Sequence, residues 1–274
     1  MKLSNSSYTG SAGRQSLIDV EIPENFNGEL IVFVHGFMGF KDWGAWNLVQ
    51  QFFTERAFGF CKFNLSHNGG TIENGIDFPD EDAFGKNCYS YEVNDIESAL
   101  NWMVSQVSEL KKIRLIGHSR GGGTVILAGQ KFAHSYPISS IHTWAAISDI
   151  GTRFPSDEEL QRWRADGVRH VKNGRTHQNL PQYFSLYEDF KKHETELNIQ
   201  QAIHNLRIPI FVHHGDQDAS VPISEGASLA NWANVRLQII PGADHVFGAT
   251  HPWIGSELPT ELAVLCEKTI NEMK

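Results

Sequence analysis

Apolar and polar positions follow two rhythms along this chain. Six short runs are almost continuously apolar: 29–36 (ELIVFVHG), 58–66 (FGFCKFNLS), 112–119 (KIRLIGHS), 141–148 (IHTWAAIS), 208–215 (IPIFVHHG) and 235–242 (VRLQIIPG). Their length predicts strands, and the missing polar face predicts strands covered on both sides, as in a parallel sheet. Between them the period lengthens. Ile96, Leu100, Met103, Val104, Val107 and Leu110 recur at helical spacing, and so do Leu262, Leu265, Cys266, Ile270 and Met273. Strands alternating with helices predict a three-layer α/β domain with a mostly parallel sheet and helices on both faces.

Residues 151–205 break the rhythm, because no buried strand can be read there. Ser156 to Glu159 reads as a capping box, with Gly167 as the stop of the helix it opens. Asn173–Gly174 signals a hairpin turn, and a further helix is expected from Pro181. The stretch is too long for a loop. It is expected to form a small cap, mainly helical with a short hairpin, inserted between core segments 1–150 and 206–274.

Bulk properties narrow the partners. The chain has 274 residues and a formal net charge of −9, which disfavours nucleic acid as a partner because phosphate binding needs a basic surface. No basic run suits an anionic membrane, and the apolar runs are too short to span one. The N-terminal stretch lacks the apolar core of a signal peptide. Cys61, Cys88 and Cys266 form neither a metal spacing nor an evident disulfide framework, so a reducing, cytoplasmic setting is expected.

The chemistry centres on LIGHSRGGGT at 115–124. Gly117, Ser119 and Gly121 form a Gly-x-Ser-x-Gly pattern between a predicted strand and a predicted helix. A sharp strand-to-helix turn presents the serine hydroxyl and leaves no room for side chains two residues before and after it. A phosphate loop is excluded because no Lys-Ser or Lys-Thr follows the glycines, and the Gly-x-Gly-x-x-Gly of a dinucleotide site is absent.

A serine hydroxyl needs a base, and the base needs an orienting acid. On this architecture both follow the serine, acid first, at the ends of later strands. The run at 208–215 is followed by Asp216 and Asp218, and the run at 235–242 by His245. Asp218 is preferred over Asp216, whose place directly after Gly215 suits a turn-forming role. His245 is preferred over His251, which precedes Pro252 in a stretch without strand character. The oxyanion donors expected are the backbone N–H of Arg120 and one from the loop 35–43, with Phe37 placed ahead of Met38. In 64–71, His67 and Asn68 are expected to order their loop more than to meet a substrate. Arg153, Arg164, Arg169 and Arg175 could hold a carboxylate, but nothing in their spacing makes them converge, and solvated surface is the expectation for most. Trp43, Trp144, Phe184 and Tyr187 could line a pocket or simply fill the core.

The HGF, GHSRGG, HGDQD and GADH segments, in that order, resemble the oxyanion, nucleophile, acid and base motifs of the α/β-hydrolase superfamily. HGFMGFKDWG, FNLSHNGG, NGRTHQNLP and PGADHVFG resemble its dienelactone-hydrolase-related, acyl-esterase-like branch, whose relatives include cinnamoyl esterases and prolyl-oligopeptidase-like catalytic domains. The resemblance implies an eight-stranded sheet, no metal and no cofactor. The residues before Gly28 leave little room for a full first hairpin, so a reduced N-terminal sheet edge is expected.

The expected activity is that of a serine hydrolase using Ser119, His245 and Asp218, acting on a carboxylic ester through an acyl-enzyme. Its partner is a small-molecule acyl substrate, with a homodimer allowed. Aminopeptidase-like or thioesterase chemistry stays open, as does a silent binding protein on the same fold.

Overall fold

The computed structural model describes residues 1–273. Among the described residues the strands are β1 (Lys2–Thr9), β2 (Gln15–Glu21), β3 (Glu29–Val34), β4 (Gly59–Phe63), β5 (Lys112–His118), β6 (Ile138–Trp144), β7 (Val168–Lys172), β8 (Asn179–Tyr183), β9 (Ile210–Gly215) and β10 (Leu237–Ile240). Eight form one sheet in the order β1-β2-β4-β3-β5-β6-β9-β10. β1 and β2 pair antiparallel, as do β2 and β4, and every other pairing in this sheet is parallel.

Each apolar run divides between two cores. From β3, Leu30, Val32 and Val34 enter one face while Ile31 and Phe33 enter the other. The first face is covered by α3 (Tyr89–Gln106), α4 (Arg120–Phe132), α7 (Ile199–Asn205) and α8 (Ile223–Ala233), which bring Ile96, Leu100, Val125, Ile199 and Leu229. The second is covered by α1 (Trp46–Thr54) and α9 (Thr260–Asn271), which bring Trp46, Phe53, Leu262 and Leu265, while the short α2 (Glu81–Gly85) lies beside β8. Burial on both faces is why these strands show no polar alternation.

The N-terminal edge is complete, against the reduced edge expected. β1 and β2 need only a turn of residues 10–14, where the Gly10 N–H donates to the Arg14 carbonyl (2.8 Å). The hairpin escapes a search for apolar runs because β1 is an edge strand with a mostly exposed side-chain row. Asp95 on α3 fastens it: one carboxylate oxygen accepts from the Ser11 N–H (2.6 Å) and the other from the Ser66 N–H (2.6 Å).

Burial raises the Asp95 pKa from 3.8 to about 6 against those hydrogen bonds. The folded state therefore holds this proton more tightly than the unfolded chain, and Asp95's contribution to stability falls as pH rises between those values. Urea denaturation of wild type and Asp95→Asn should give an unfolding free-energy difference that shifts against wild type by up to about 3 kcal/mol from pH 4 to pH 7. A difference independent of pH would rule out the raised pKa.

Residues 151–205 hold α5 (Asp157–Asp166), the antiparallel pair β7–β8, and α6 (Ser185–Lys192) followed by α7. α5 starts after Ser156, although the Ser156 hydroxyl makes no capping bond, and ends at Gly167 in the left-handed conformation (φ 73°). The hairpin turns through 173–178 rather than through two residues. There Asn173 Oδ1 accepts from the N–H groups of Arg175 (2.9 Å) and Thr176 (3.1 Å). Pro181 does not open a helix. It lies in β8 opposite His170, on a two-stranded ribbon where an edge strand tolerates its missing donor, and α6 begins at Ser185. α7 packs with α4 on the main sheet's first face rather than beside the hairpin. Among the described residues, no helix is long and apolar enough to cross a membrane.

Candidate active site

β5 ends at His118 and α4 begins at Arg120, so Ser119 is the whole turn between them. Its backbone is left-handed and strained (φ 56°, ψ −121°). The two flanking glycines follow from that turn. A Cβ at Gly117 would stand 2.3 Å from the Gly121 carbonyl oxygen, and one at Gly121 would stand 2.4 Å from that of Val34.

Ser119, His245 and Asp218 come together although 126 residues separate the serine from the histidine. The Ser119 hydroxyl donates to His245 Nε2 (3.0 Å), and His245 Nδ1–H donates to Asp218 Oδ2 (2.8 Å). A carboxylate only accepts, so Asp218 sets the tautomer: the proton is on Nδ1 and Nε2 is free to accept. Asp218 is itself held in place. Its Oδ1 accepts from the N–H groups of Ser220 and Val221 (2.9 Å each), and His214 Nε2 lies 3.3 Å from its Oδ2. Burial works against its charge, but the hydrogen bonds from His214, His245 and Val221 outweigh this and hold its pKa well below the usual carboxylate range.

The rivals have other work. Asp216 accepts from the Gly242 N–H (2.8 Å), tying the loop after β9 to the loop after β10. His251 accepts from the Gly44 N–H (2.8 Å) and packs against Phe40 and Trp43, which orders the loop after β3. His118 donates from Nε2 to the His245 carbonyl (2.8 Å), and burial pushes its pKa down to about 3, so it stays neutral behind the histidine.

Arg120 is the first residue of α4, where a helix leaves its N–H without an internal acceptor. Among the described residues, no acceptor takes the N–H of Arg120 or of Phe37. Both residues adjoin Ser119. His67 hydrogen-bonds to the Ser66 hydroxyl (2.8 Å), while Asn68 accepts from the Gly70 N–H (2.9 Å) and donates to the Gly39 carbonyl (3.2 Å). Both thus order their loop.

Two cavities meet at Ser119 and His245. One, about 230 Å³, is walled by Phe37, Met38, Trp43 and Trp46, with Asn173 and Arg175 of the hairpin tip on its rim. The other, about 440 Å³, is walled by Tyr89, Ile147 and Val171 and by three arginines, Arg120, Arg153 and Arg169. Of the four aromatic residues considered from sequence, Trp43 lines the first cavity. Trp144 is buried within the sheet core, Phe184 packs against Trp163 and Tyr187, and Tyr187 packs against Phe154. Sequence reasoning missed His214, Gln182 and Trp46. For His214 a signal existed: a polar residue late in an otherwise apolar strand.

The fold and this arrangement define an α/β-hydrolase scaffold with a serine, a histidine and a carboxylate in hydrogen-bonded series. The α/β-hydrolase family model matches residues 31–253, and the chain belongs to that family. It is 22% identical over 273 residues to a monoacylglycerol lipase of Mycolicibacterium smegmatis, covering 88% of this chain and 90% of the lipase. Among solved structures it resembles the ferulic-acid complex of Est1E from Butyrivibrio proteoclasticus (TM-score 0.74, 17% identity, 98% of each chain). It also resembles a dienelactone hydrolase from Anabaena variabilis (TM-score 0.64, 14% identity, 99% of this chain and 95% of the other).

Proposed function

We propose that the protein is a serine hydrolase that cleaves carboxylic esters of small acyl substrates. The observation that carries this is the bond series from Ser119 through His245 to Asp218, opening on two cavities. His245 Nε2 takes the proton as Ser119 Oγ bonds to the acyl carbon. The carbonyl oxygen, now an anion, is received by the N–H groups of Phe37 and Arg120. His245 returns the proton to the leaving alcohol, and the C–O bond of the ester breaks. A water then loses a proton to the same nitrogen, attacks the acyl-enzyme and frees the acid and the serine. An ester is favoured over an amide or thioester because relatives whose names state an activity include a lipase and a lactone hydrolase.

A fluorophosphonate probe should label wild type stoichiometrically at Ser119, and 4-nitrophenyl acetate and butyrate should be hydrolysed with kcat/KM at least a hundredfold above 4-nitroanilide analogues. Mass spectrometry of the labelled peptide and initial rates check both. No labelling would identify a silent binding protein, and faster anilide cleavage would identify an amidase.

A further inference from the structure

The larger cavity beside Ser119 is basic, although the whole chain carries a formal net charge of −9. Its three guanidinium groups are not equivalent. Arg120 lies between the rings of Phe37 and Tyr89 (4.2 and 4.6 Å) and is paired with the buried Glu92 (3.2 Å). Arg153 is paired with Glu225. Two of the three charges are thus neutralised from behind. Arg169 has no carboxylate within ion-pair distance among the described residues.

Arg169 is nonetheless held. It sits on β7 directly opposite Gln182 on β8, and its Nε–H donates to Gln182 Oε1 (2.9 Å). Gln182 is buried. The guanidinium plane lies over the indole of buried Trp163 (4.1 Å), whose Nε1–H donates to the Gln182 carbonyl (2.8 Å). This support uses Nε and one face of the group. The two terminal nitrogens remain, a planar fork that matches the two oxygens of a carboxylate. Partial burial pulls the Arg169 pKa below its ordinary value, and Glu159, which favours the charged form from beyond ion-pair distance, offsets this only in part.

We infer that Arg169 is a specificity-determining residue that binds a carboxylate on the ester substrate, at a distance from the bond that is cut. A cavity that pairs two of its three lining arginines with carboxylates and leaves the third without an ion pair suits a substrate with one negative charge. This inference rests on the ester-hydrolase reading above. The carboxylate can belong to the acyl part, as in a hemiester of a dicarboxylic acid, or to the alcohol part, as in an acylated hydroxy acid. Both present the same group to the same fork.

The test pairs charged esters with neutral counterparts at low ionic strength. On the acyl side these are mono-(4-nitrophenyl) glutarate and its methyl ester. On the alcohol side they are 4-(butyryloxy)benzoate and its methyl ester. Wild type should show a charged-to-neutral kcat/KM ratio above about 10 in one arm, and the arm that shows it identifies the source. Arg169→Gln should lower that ratio at least tenfold, mainly through KM, and Arg169→Lys should restore part of it. A ratio near or below one in both arms, or one unchanged in Arg169→Gln, overturns the inference. Calorimetry with Ser119→Ala keeps it decidable if no ester is turned over: monomethyl glutarate should bind at least tenfold more tightly than dimethyl glutarate, and Ser119→Ala/Arg169→Gln should not discriminate. Equal binding overturns the carboxylate site. Neutral esters cleaved without any charge preference would leave the hydrolase reading standing alone.

Discussion

Ser119→Ala is expected to lower kcat for 4-nitrophenyl butyrate by roughly ten-thousand- to million-fold, to a level set by the remaining oxyanion donors and cavity. The variant should fold as wild type does. The hydroxyl bonds to His245 alone, so its loss orphans a single nitrogen that lies next to the open cavity and can take a water instead. The strain of the left-handed turn is unchanged, because alanine has the same Cβ. The melting temperature should therefore stay within a few degrees of wild type. Steady-state rates with a matched thermal melt check both halves. Activity above about one per cent of wild type would remove Ser119 from the role proposed for it.

Asp218→Asn should cost kcat about a thousand- to ten-thousand-fold with little change in KM. The substitution keeps shape and volume. An asparagine can still accept from Ser220 and Val221 with its oxygen, but it then turns an N–H₂ donor towards His245 Nδ1. That favours the tautomer with its proton on Nε2, which can no longer accept the proton of Ser119. His214, now beside an amide, cannot restore the carboxylate's charge. Asp216→Asn is the matched comparison: its carboxylate faces the Gly242 N–H and not His245, so kcat should stay within about threefold of wild type. Measuring both variants over a pH series strengthens the test. Asp218 stays ionised throughout a working range of pH 5 to 9 because its pKa is held so low, so no wild-type acid limb in that range belongs to it. Equal losses in the two variants would sink the assignment of Asp218.

Much of this site is legible along the chain. The β5–Ser119–α4 turn is local: a strand pattern, a helix pattern and glycines placed where backbones nearly touch. The same holds for the loops carrying Asp218 and His245, each directly behind a readable apolar run. The N-terminal hairpin and Pro181 are less legible, for one shared reason. Edge strands carry exposed side chains and relaxed hydrogen-bonding demands, so their composition matches that of loops.

Arg169 marks the boundary most clearly. Arg153, Arg164, Arg169 and Arg175 look alike in sequence, each in a polar stretch. In the structure, Arg153 and Arg175 are paired with Glu225 and Asp77, and Arg164 reaches the ring of Phe184. Arg169 alone among these four is fixed by a cross-strand glutamine in the cavity that reaches Ser119. By itself the sequence determined the parallel-sheet architecture, the serine turn and the placing of Ser119, Asp218 and His245 behind successive strands, because burial periodicity and turn sterics act within a few residues. Only the tertiary structure decided what backs Asp218, which aromatic residues wall the cavities and which arginine is left without an ion pair. Those depend on β7–β8 register and on loops from distant strands converging over one sheet edge, and no local pattern of polarity encodes them.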